Sequence, residues 1–434
     1  MITIRRLVTA VLALLAVPIA AIATAAPSHA MAAVPTGGCT ASSTQSVSSA
    51  YGTSYQPTAA QVASTDVVVK IDTSNGADID SLQTKYQLGV TSAVLASRGI
   101  YLVHSADCNG GSSAQQLADE LAADPDVVYA EPDSTVELKA TGFSEWSHGS
   151  PMPASEADYT SQPAVAQLRL HLAHRFSTGR GVTVAVLDTG VDPSQPALAS
   201  RLTPGWNYVE DDADTDDVAD AAGGQAVGHG TFVAGLVALA APGAQILPER
   251  VLDGAGNGNV FVVAQAMLDA VDAGASVINL SFGTDEQLSS PVITDVINLA
   301  TRAGVLVVAA AGNDADDMPH YPAALPRVLS VAASDTGGRG LATFSDFGSW
   351  VDVAAPGQDV VGPVPGGGYA IWSGTSMAAP LVAGEAALLF ATPGHPSAAR
   401  VRITIEACHD PLYGGGTAYG VVDPMSALGA ALWW

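Results

Sequence analysis

Cations are scarce in this chain of 434 residues. It carries 16 Lys and Arg against 42 Asp and Glu, a formal net charge of −26, and no lysine after Lys139. Phosphate backbones are bound by clustered Lys and Arg, so this balance argues against nucleic acid as a partner. Cysteine is scarce as well. Cys39 and Cys108 both lie in the N-terminal part of the chain and could pair there, which would leave Cys408 as an odd thiol, expected to be buried. Long apolar runs are confined to two places. The first follows Arg5 and Arg6, spans Leu7 to Ala20, and ends in the small residues Ala23-Thr24-Ala25, with Ser28-His29-Ala30 as a second cleavage site. That is the pattern of a secretory signal peptide, so the mature protein is expected outside the cell with no membrane anchor. The second, Met377 to Phe390, contains Pro380 and Gly384, which suits a soluble core better than a bilayer.

Two further absences narrow the chemistry. Gly254-Ala255-Gly256-Asn257-Gly258 lacks the Gly-x-Gly-x-x-Gly spacing of a nucleotide-phosphate loop, because position 259 is Asn. The acidic stretch Glu210 to Asp220 could hold calcium, but it has neither the turning glycine nor the twelfth-position Glu of an EF-hand, and is expected to be a solvated loop.

With 48% hydrophobic and 13% charged residues, the chain can bury a large core and is expected to hold two domains. We divide it into a signal peptide (1–26), a Ser/Thr/Ala/Gly-rich linker (27–65), a small α+β domain (66–137), a Pro-rich linker (138–177) and a large α/β domain (178–434). In the small domain, Val67–Ile71 and Val127–Asp133 read as strands. Val90 to His104 reads as one or two more, and helices begin after Asp78 and around Ala114. Beyond Arg180, apolar strands near 181–188, 246–252, 276–282, 305–311 and 328–333 alternate with helices near 229–241, 259–273 and 290–303. That alternation implies a mostly parallel sheet covered by helices on both faces.

Ser376 stands at the head of the second apolar run, after a glycine. First-turn N–H groups there favour a developing negative charge, although Thr375 and Ser376 could equally be plain helix caps. A serine hydroxyl needs a base, and the base needs an orienting acid. Val182 to Asp188 reads as a buried strand with Asp188 at its carboxyl end, where reactive groups of open α/β sheets gather. Gly228-His229-Gly230 opens another apolar helix, and Val305 to Asn313 is a buried strand that ends in a side-chain amide.

In order, Asp188-Thr189-Gly190, His229-Gly230-Thr231, Ala310-Ala311-Gly312-Asn313 and Gly374-Thr375-Ser376-Met377-Ala378 resemble the motifs of subtilisin-like serine proteases. The resemblance runs from about Gly181 to the C-terminus. It implies a subtilisin-like α/β domain in which Asp188 orients His229, His229 acts as base and then acid, Ser376 attacks, and Asn313 completes an oxyanion hole. It also implies substrate contacts from Gly254, Ser281, Phe282, Gly283, Ala310, Ala311 and Gly312. His320, just before Tyr321-Pro322, would floor the primary specificity pocket and make it narrower and more polar. The small α+β domain resembles the ferredoxin-like inhibitory propeptide of these enzymes, which implies a self-processing zymogen cleaved between about Leu138 and Ala154. Polypeptides would be the substrates, the propeptide the chain's own inhibitor, and no cofactor would be needed, with structural calcium left open. A silent polypeptide-binding domain, and a transpeptidase or macrocyclase using the same three residues, are the alternatives. Gly420-Val421-Val422-Asp423 departs from the family pattern.

Overall fold

A computed structural model describes residues 65–106, 113–138, 152–284 and 290–431. The expected signal peptide, Cys39, Cys108 and residues 139–151, which make up most of the expected cleavage segment, lie outside the described residues.

The N-terminal part is a βαββαβ unit: β1 (Val67–Ile71), α1 (Ile79–Tyr86), β2 (Leu88–Ser92), β3 (Ile100–Ser105), α2 (Ala114–Ala122) and β4 (Val127–Pro132). Its antiparallel sheet has the order β2-β3-β1-β4. Alternation along the strands sends Val67, Val69 and Val103 towards Leu82, Leu117 and Leu121 on the two helices. Asp78 caps α1 by accepting from Ser81 N at 2.8 Å, and Ser113 with Gln116 forms a capping box on α2.

Glu131 and Asp133 tie this unit to the rest of the chain through Val292 N and Phe261 N, and the chain continues as β5 (Thr135–Glu137), β6 (Met152–Ala154), α3 (Glu156–Ser161), α4 (Pro163–Gln167) and α5 (Leu170–Ala173). The expectation of a linker over 138–177 is therefore corrected for its second half. Tyr159, Leu168 and Leu170 are buried, and the Tyr159 hydroxyl donates to Gly235 O at 2.6 Å. Gln162 bonds Val361 through both ends of its amide. The Ser and Pro that suggested a linker are helix starts here: Ser155 caps α3 and Pro163 is the first residue of α4.

The large domain adds β7 (Thr183–Asp188), β8 (Trp206–Asn207), α6 (His229–Ala240), β9 (Gln245–Arg250), β10 (Asn257–Asn259), α7 (Val260–Asp272) and β11 (Val277–Leu280). It continues with β12 (Gly283–Thr284), α8 (Pro291–Arg302), β13 (Leu306–Ala310), β14 (Val328–Ser334), β15 (Val353–Pro356), β16 (Val360–Val364) and β17 (Gly368–Trp372). Last come α9 (Thr375–Phe390), α10 (Ala398–Ala407), β18 (His409–Asp410), β19 (Val421–Val422) and α11 (Pro424–Ala431). The nine-stranded sheet has the order β18-β19-β15-β14-β13-β11-β7-β9-β8 and is parallel except at β18. One face packs on α6 and α9, the other on α7 and α8. Burial on both faces explains why the central strands are continuous Val/Ala/Leu runs rather than alternating ones. Among the described residues, no helix is long and apolar enough to cross a membrane.

Two small sheets sit beside the main one. β17 pairs with β16 and β6, and β5 lies antiparallel between β10 and β12.

Candidate active site

β7 delivers Asp188 at its carboxyl end, and α6 begins at His229. The two side chains meet in the interior: His229 Nδ1 lies 2.6 Å from Asp188 Oδ1, with exposures of 0% and 1%. Asp188 Oδ1 also accepts from Thr189 N at 2.8 Å. Gly230 makes the close approach feasible, since a Cβ there would run into the Gly190 carbonyl.

α6 packs along α9, whose first turn holds Ser376. α9 starts at Thr375, two residues earlier than the apolar run suggests. Pro380 lies inside the helix, and having no N–H it leaves the Ser376 carbonyl without its usual partner four residues on. Ser281 fills that role from outside the helix. Its Oγ donates to Ser376 O at 3.1 Å, while Ser376 Oγ donates back to Ser281 O at 3.0 Å. Asn279 Nδ2 holds Ser281 Oγ at 2.9 Å, so β11 anchors the serine from below.

Asn313 lies beyond the end of β13. Its Oδ1 accepts from Thr375 N at 2.9 Å and from Thr375 Oγ1 at 3.1 Å, and Thr375 Oγ1 in turn accepts from Gly312 N at 3.1 Å. With the oxygen held by Thr375, the donor end of the amide is the nitrogen, and Asn313 and Ser376 line one pocket. Ser281, Phe282, Gly283, Ala310, Ala311, Gly312 and His320 line it too. The pocket holds about 290 Å³ of space between its walls, open solvent at its mouth included. Gly254 is not among its lining residues; it stands at the start of the β10 turn, where its N–H donates to Asp220 Oδ2 at 2.7 Å.

His320 stands among acids. Its Nε2 lies 3.2 Å from Asp346 Oδ2, 3.4 Å from Asp314 Oδ2 and 4.0 Å from Asp316 Oδ1. Asp346 is fully buried, and burial pushes its carboxyl up to about 7, against backbone bonds from Asp316 and Asp314 that favour the ionised form. By spacing, Asp314, His320 and Asp346 could hold a metal ion, their ligand atoms all lying within 4.8 Å of one another.

Three functional features escaped the sequence reading. Asp217, expected in a solvated loop, is buried and accepts from Gly228 N at 2.9 Å, Thr231 N at 3.0 Å, Thr231 Oγ1 at 2.7 Å and Thr189 Oγ1 at 3.0 Å. It thereby ties the start of the His229 helix to the turn after Asp188. Burial raises its carboxyl to about 6, against those bonds. Asp220 is likewise engaged, 2.7 Å from the buried Arg250, so the solvated-loop expectation is corrected for these two acids. Among the described residues, the side chains of this stretch form no group of three His, Cys, Asp or Glu ligands within reach of one ion. The remaining two features are the Thr375 bridge and the acids around His320.

The β5 strand pairs with Gly283, one of the residues that line this pocket. Glu137 pairs with both Asn257 and Gly283, Val136 with Gly258 and Thr284, and Leu138 N donates to Gly256 O at 2.9 Å. Just upstream, Glu131 Oε1 accepts from Val292 N at 2.6 Å and Asp133 Oδ1 from Phe261 N at 3.0 Å. These carboxylates of the small unit thus meet the first turns of α8 and α7, where bare N–H groups favour negative charge. Lys70 also pairs with Asp295 of α8.

Comparison with known proteins matches residues 179–407 to the peptidase S8 model, the subtilase family. A thermophilic serine proteinase of Bacillus sp. strain AK1 is 40% identical over 260 residues, covering 57% of this chain and 62% of the relative. Thermitase of Thermoactinomyces vulgaris is 39% identical over 265 residues, covering 58% of this chain and 90% of thermitase. Among solved structures, fervidolysin of Fervidobacterium pennivorans, described as a keratinolytic enzyme related to subtilisin, superposes with a TM-score of 0.68 at 25% identity. The match covers 84% of this chain and 60% of fervidolysin.

Proposed function

Since the chain belongs to the subtilase family of serine proteases, we propose that it is a secreted endopeptidase, made as a self-processing zymogen, that cleaves extended polypeptides through an acyl-enzyme on Ser376. The observation that carries this reading is β5, an extended segment held between two edge strands, one of which, β12, begins at the pocket residue Gly283. Strand addition of this kind suits any peptide in extended form, because backbone bonds supply the affinity. In this chain the segment is its own, which supports residues 66–137 as the inhibitory propeptide.

In the mechanism, Ser376 Oγ exchanges its bond to the Ser281 carbonyl for one to His229 Nε2. It then attacks the scissile carbonyl carbon while the imidazole takes its proton. Asp188 Oδ1 accepts the Nδ1 hydrogen, fixes the tautomer and stabilises the imidazolium. The oxyanion of the tetrahedral intermediate is met by the first-turn N–H of Ser376 and by Asn313 Nδ2. Collapse expels the amine, which takes the proton back from His229. Water then attacks the ester by the same route and releases the acid. No cofactor enters any step.

The test is to express the full chain and its Ser376→Ala variant, label both with a fluorophosphonate, and sequence the N-termini of the secreted products. Labelling and cleavage between 138 and 154 are expected for the first and neither for the second. Equal maturation of both would overturn self-processing, and Ser376-independent labelling would overturn the nucleophile. Ligated rather than hydrolysed peptide products would assign a transpeptidase.

A further inference from the structure

We infer that Asp314, His320 and Asp346 form a binding site for one divalent transition-metal ion of the zinc class. The inference does not depend on the reaction assigned to Ser376, because none of these three residues takes part in that chemistry.

Spacing is the first argument. His320 Nε2 lies 3.2 Å from Asp346 Oδ2 and 3.4 Å from Asp314 Oδ2, and the three ligand atoms all fall within 4.8 Å of one another. Zinc holds imidazole nitrogen and carboxylate oxygen at about 2.0–2.2 Å, so neighbouring ligands on a tetrahedral ion stand about 3.3–3.6 Å apart. Both measured separations are close to that edge.

Asp346 supplies the second argument, independent of spacing. Its side chain is 0% exposed, and its Oδ2 has no hydrogen bond among the described residues, although His320 Nε2 is only 3.2 Å away. The oxygen therefore stands beside the ring nitrogen but off the line of a hydrogen bond, as two ligands do when both point at a third atom. A buried carboxylate oxygen without a donor is costly, and a cation removes that cost. Its direction is fixed from the other side, where Oδ1 accepts from Asp314 N at 2.8 Å and Asp316 N at 3.2 Å. Gly312 leaves the room, since a Cβ there would stand 2.0 Å from Oδ2.

The segments that carry the ligands are tied to each other by the backbone. Asp346 N donates to Gly312 O at 3.0 Å, Ala315 N to Phe344 O at 3.0 Å and Phe347 N to Asp316 O at 2.9 Å. The donors are thus held in place ahead of the ion, which lowers the cost of binding it. Two carboxylates balance a doubly charged ion, with the imidazole neutral. Calcium takes about six to eight oxygens, so a set of one nitrogen and two carboxylates suits zinc, cobalt or nickel better. Asp314 is 24% exposed and Asp316, with Oδ1 at 4.0 Å from the same nitrogen, is 44% exposed, which gives an ion a route in from solvent. Of the three ligands only His320 lines the Ser376 pocket, so a bound ion fixes one wall of that pocket through it.

The test uses the full chain carrying Ser376→Ala, which prevents self-digestion. Zinc is titrated in by calorimetry, and cobalt(II) is added to the same protein as a visible probe of coordination. We expect one tightly held ion per chain, the visible bands of four-coordinate cobalt, and their loss when zinc displaces it. Adding His320→Gln or Asp314→Asn should weaken zinc by about tenfold or more, since losing even a residue that only supports a ligand costs about 10–100-fold. Asp314 is partly exposed, so Asp314→Asn keeps the test open if Asp346→Asn fails to fold. Calcium in excess should leave the cobalt bands in place. Zinc affinity that is the same with and without His320→Gln and Asp314→Asn, or a cobalt spectrum that stays that of the hydrated ion, overturns the site. Displacement of cobalt by calcium overturns the zinc-class assignment.

Discussion

Glu385 should make this protein progressively less stable as pH rises, and one substitution should remove most of that loss. The residue lies in the middle of α9 with an exposure of 0%, and neither carboxyl oxygen has a hydrogen bond among the described residues. Burial holds its pKa well above the ordinary carboxyl value, and nearby Asp423 pushes the same way. Asp423 is itself paired with Arg169, so that cation is already engaged elsewhere. The Cys408 thiol is pushed up by burial and by these two acids. In the folded state Glu385 thus keeps its proton to a higher pH than in the unfolded chain. Its contribution is fully present below the unfolded value and is lost as pH climbs to the folded one. The slope in that window is about 1.4 kcal/mol per pH unit, so each unit it spans removes a sizeable part of a typical domain's stability. Urea unfolding at pH 5, 7 and 9 measures it, on the full chain carrying Ser376→Ala to prevent self-digestion. Adding Glu385→Gln keeps the shape and removes the titration, so the two stability curves should diverge with pH, with the Gln chain falling less steeply. Parallel curves from pH 5 to 9 would show that burial of this carboxyl is not linked to folding, and the reasoning fails.

Asn313→Ala should lower kcat by on the order of 10²–10³ with little change in KM; that size is the loss known for the equivalent amide of subtilisin itself, carried over rather than worked from this geometry. A loss shared equally between KM and kcat would remove Asn313 from the oxyanion hole. Asp217→Ala removes the acceptor of four donors around the His229 helix, at about 1–3 kcal/mol for each one left buried and unpaired, so denaturant unfolding should show several kcal/mol lost and steady-state assays a reduced kcat. An unchanged midpoint would mean the loop is dispensable. Asp133 sits at about 7, raised by burial against the bond from Phe261 N, so docking of residues 66–137 favours its protonated form and weakens as pH rises from about 4 to 7. Inhibition of the mature enzyme by that segment should be on the order of a hundredfold weaker at pH 8 than at pH 5, and Asp133→Asn should flatten the profile; a pH-independent inhibition constant for the unsubstituted segment refutes it.

How much of this was legible in the sequence depended on where each residue's identity is decided. β7 and β13 announce themselves because a strand buried on both faces is apolar along nearly all of its length, and Asp188 and Asn313 follow from being the polar residues at or just beyond the ends of such runs. His229 and Ser376 begin helices, another locally written position. β5, β10 and β12 are different: Thr135–Glu137, Asn257–Asn259 and Gly283–Thr284 carry no apolar pattern and become strands only by pairing with one another. The same holds for Asp217, which looked solvated within an acidic run and is turned inward by donors from α6. Asp346 carries no local signal of its role, and only the fold sets it beside His320. Catalytic side chains must sit on rigid element ends, and those ends are punctuated in the sequence. A pocket's selectivity is assembled from loops that meet only in three dimensions. A chain can therefore declare its reaction while concealing its preference.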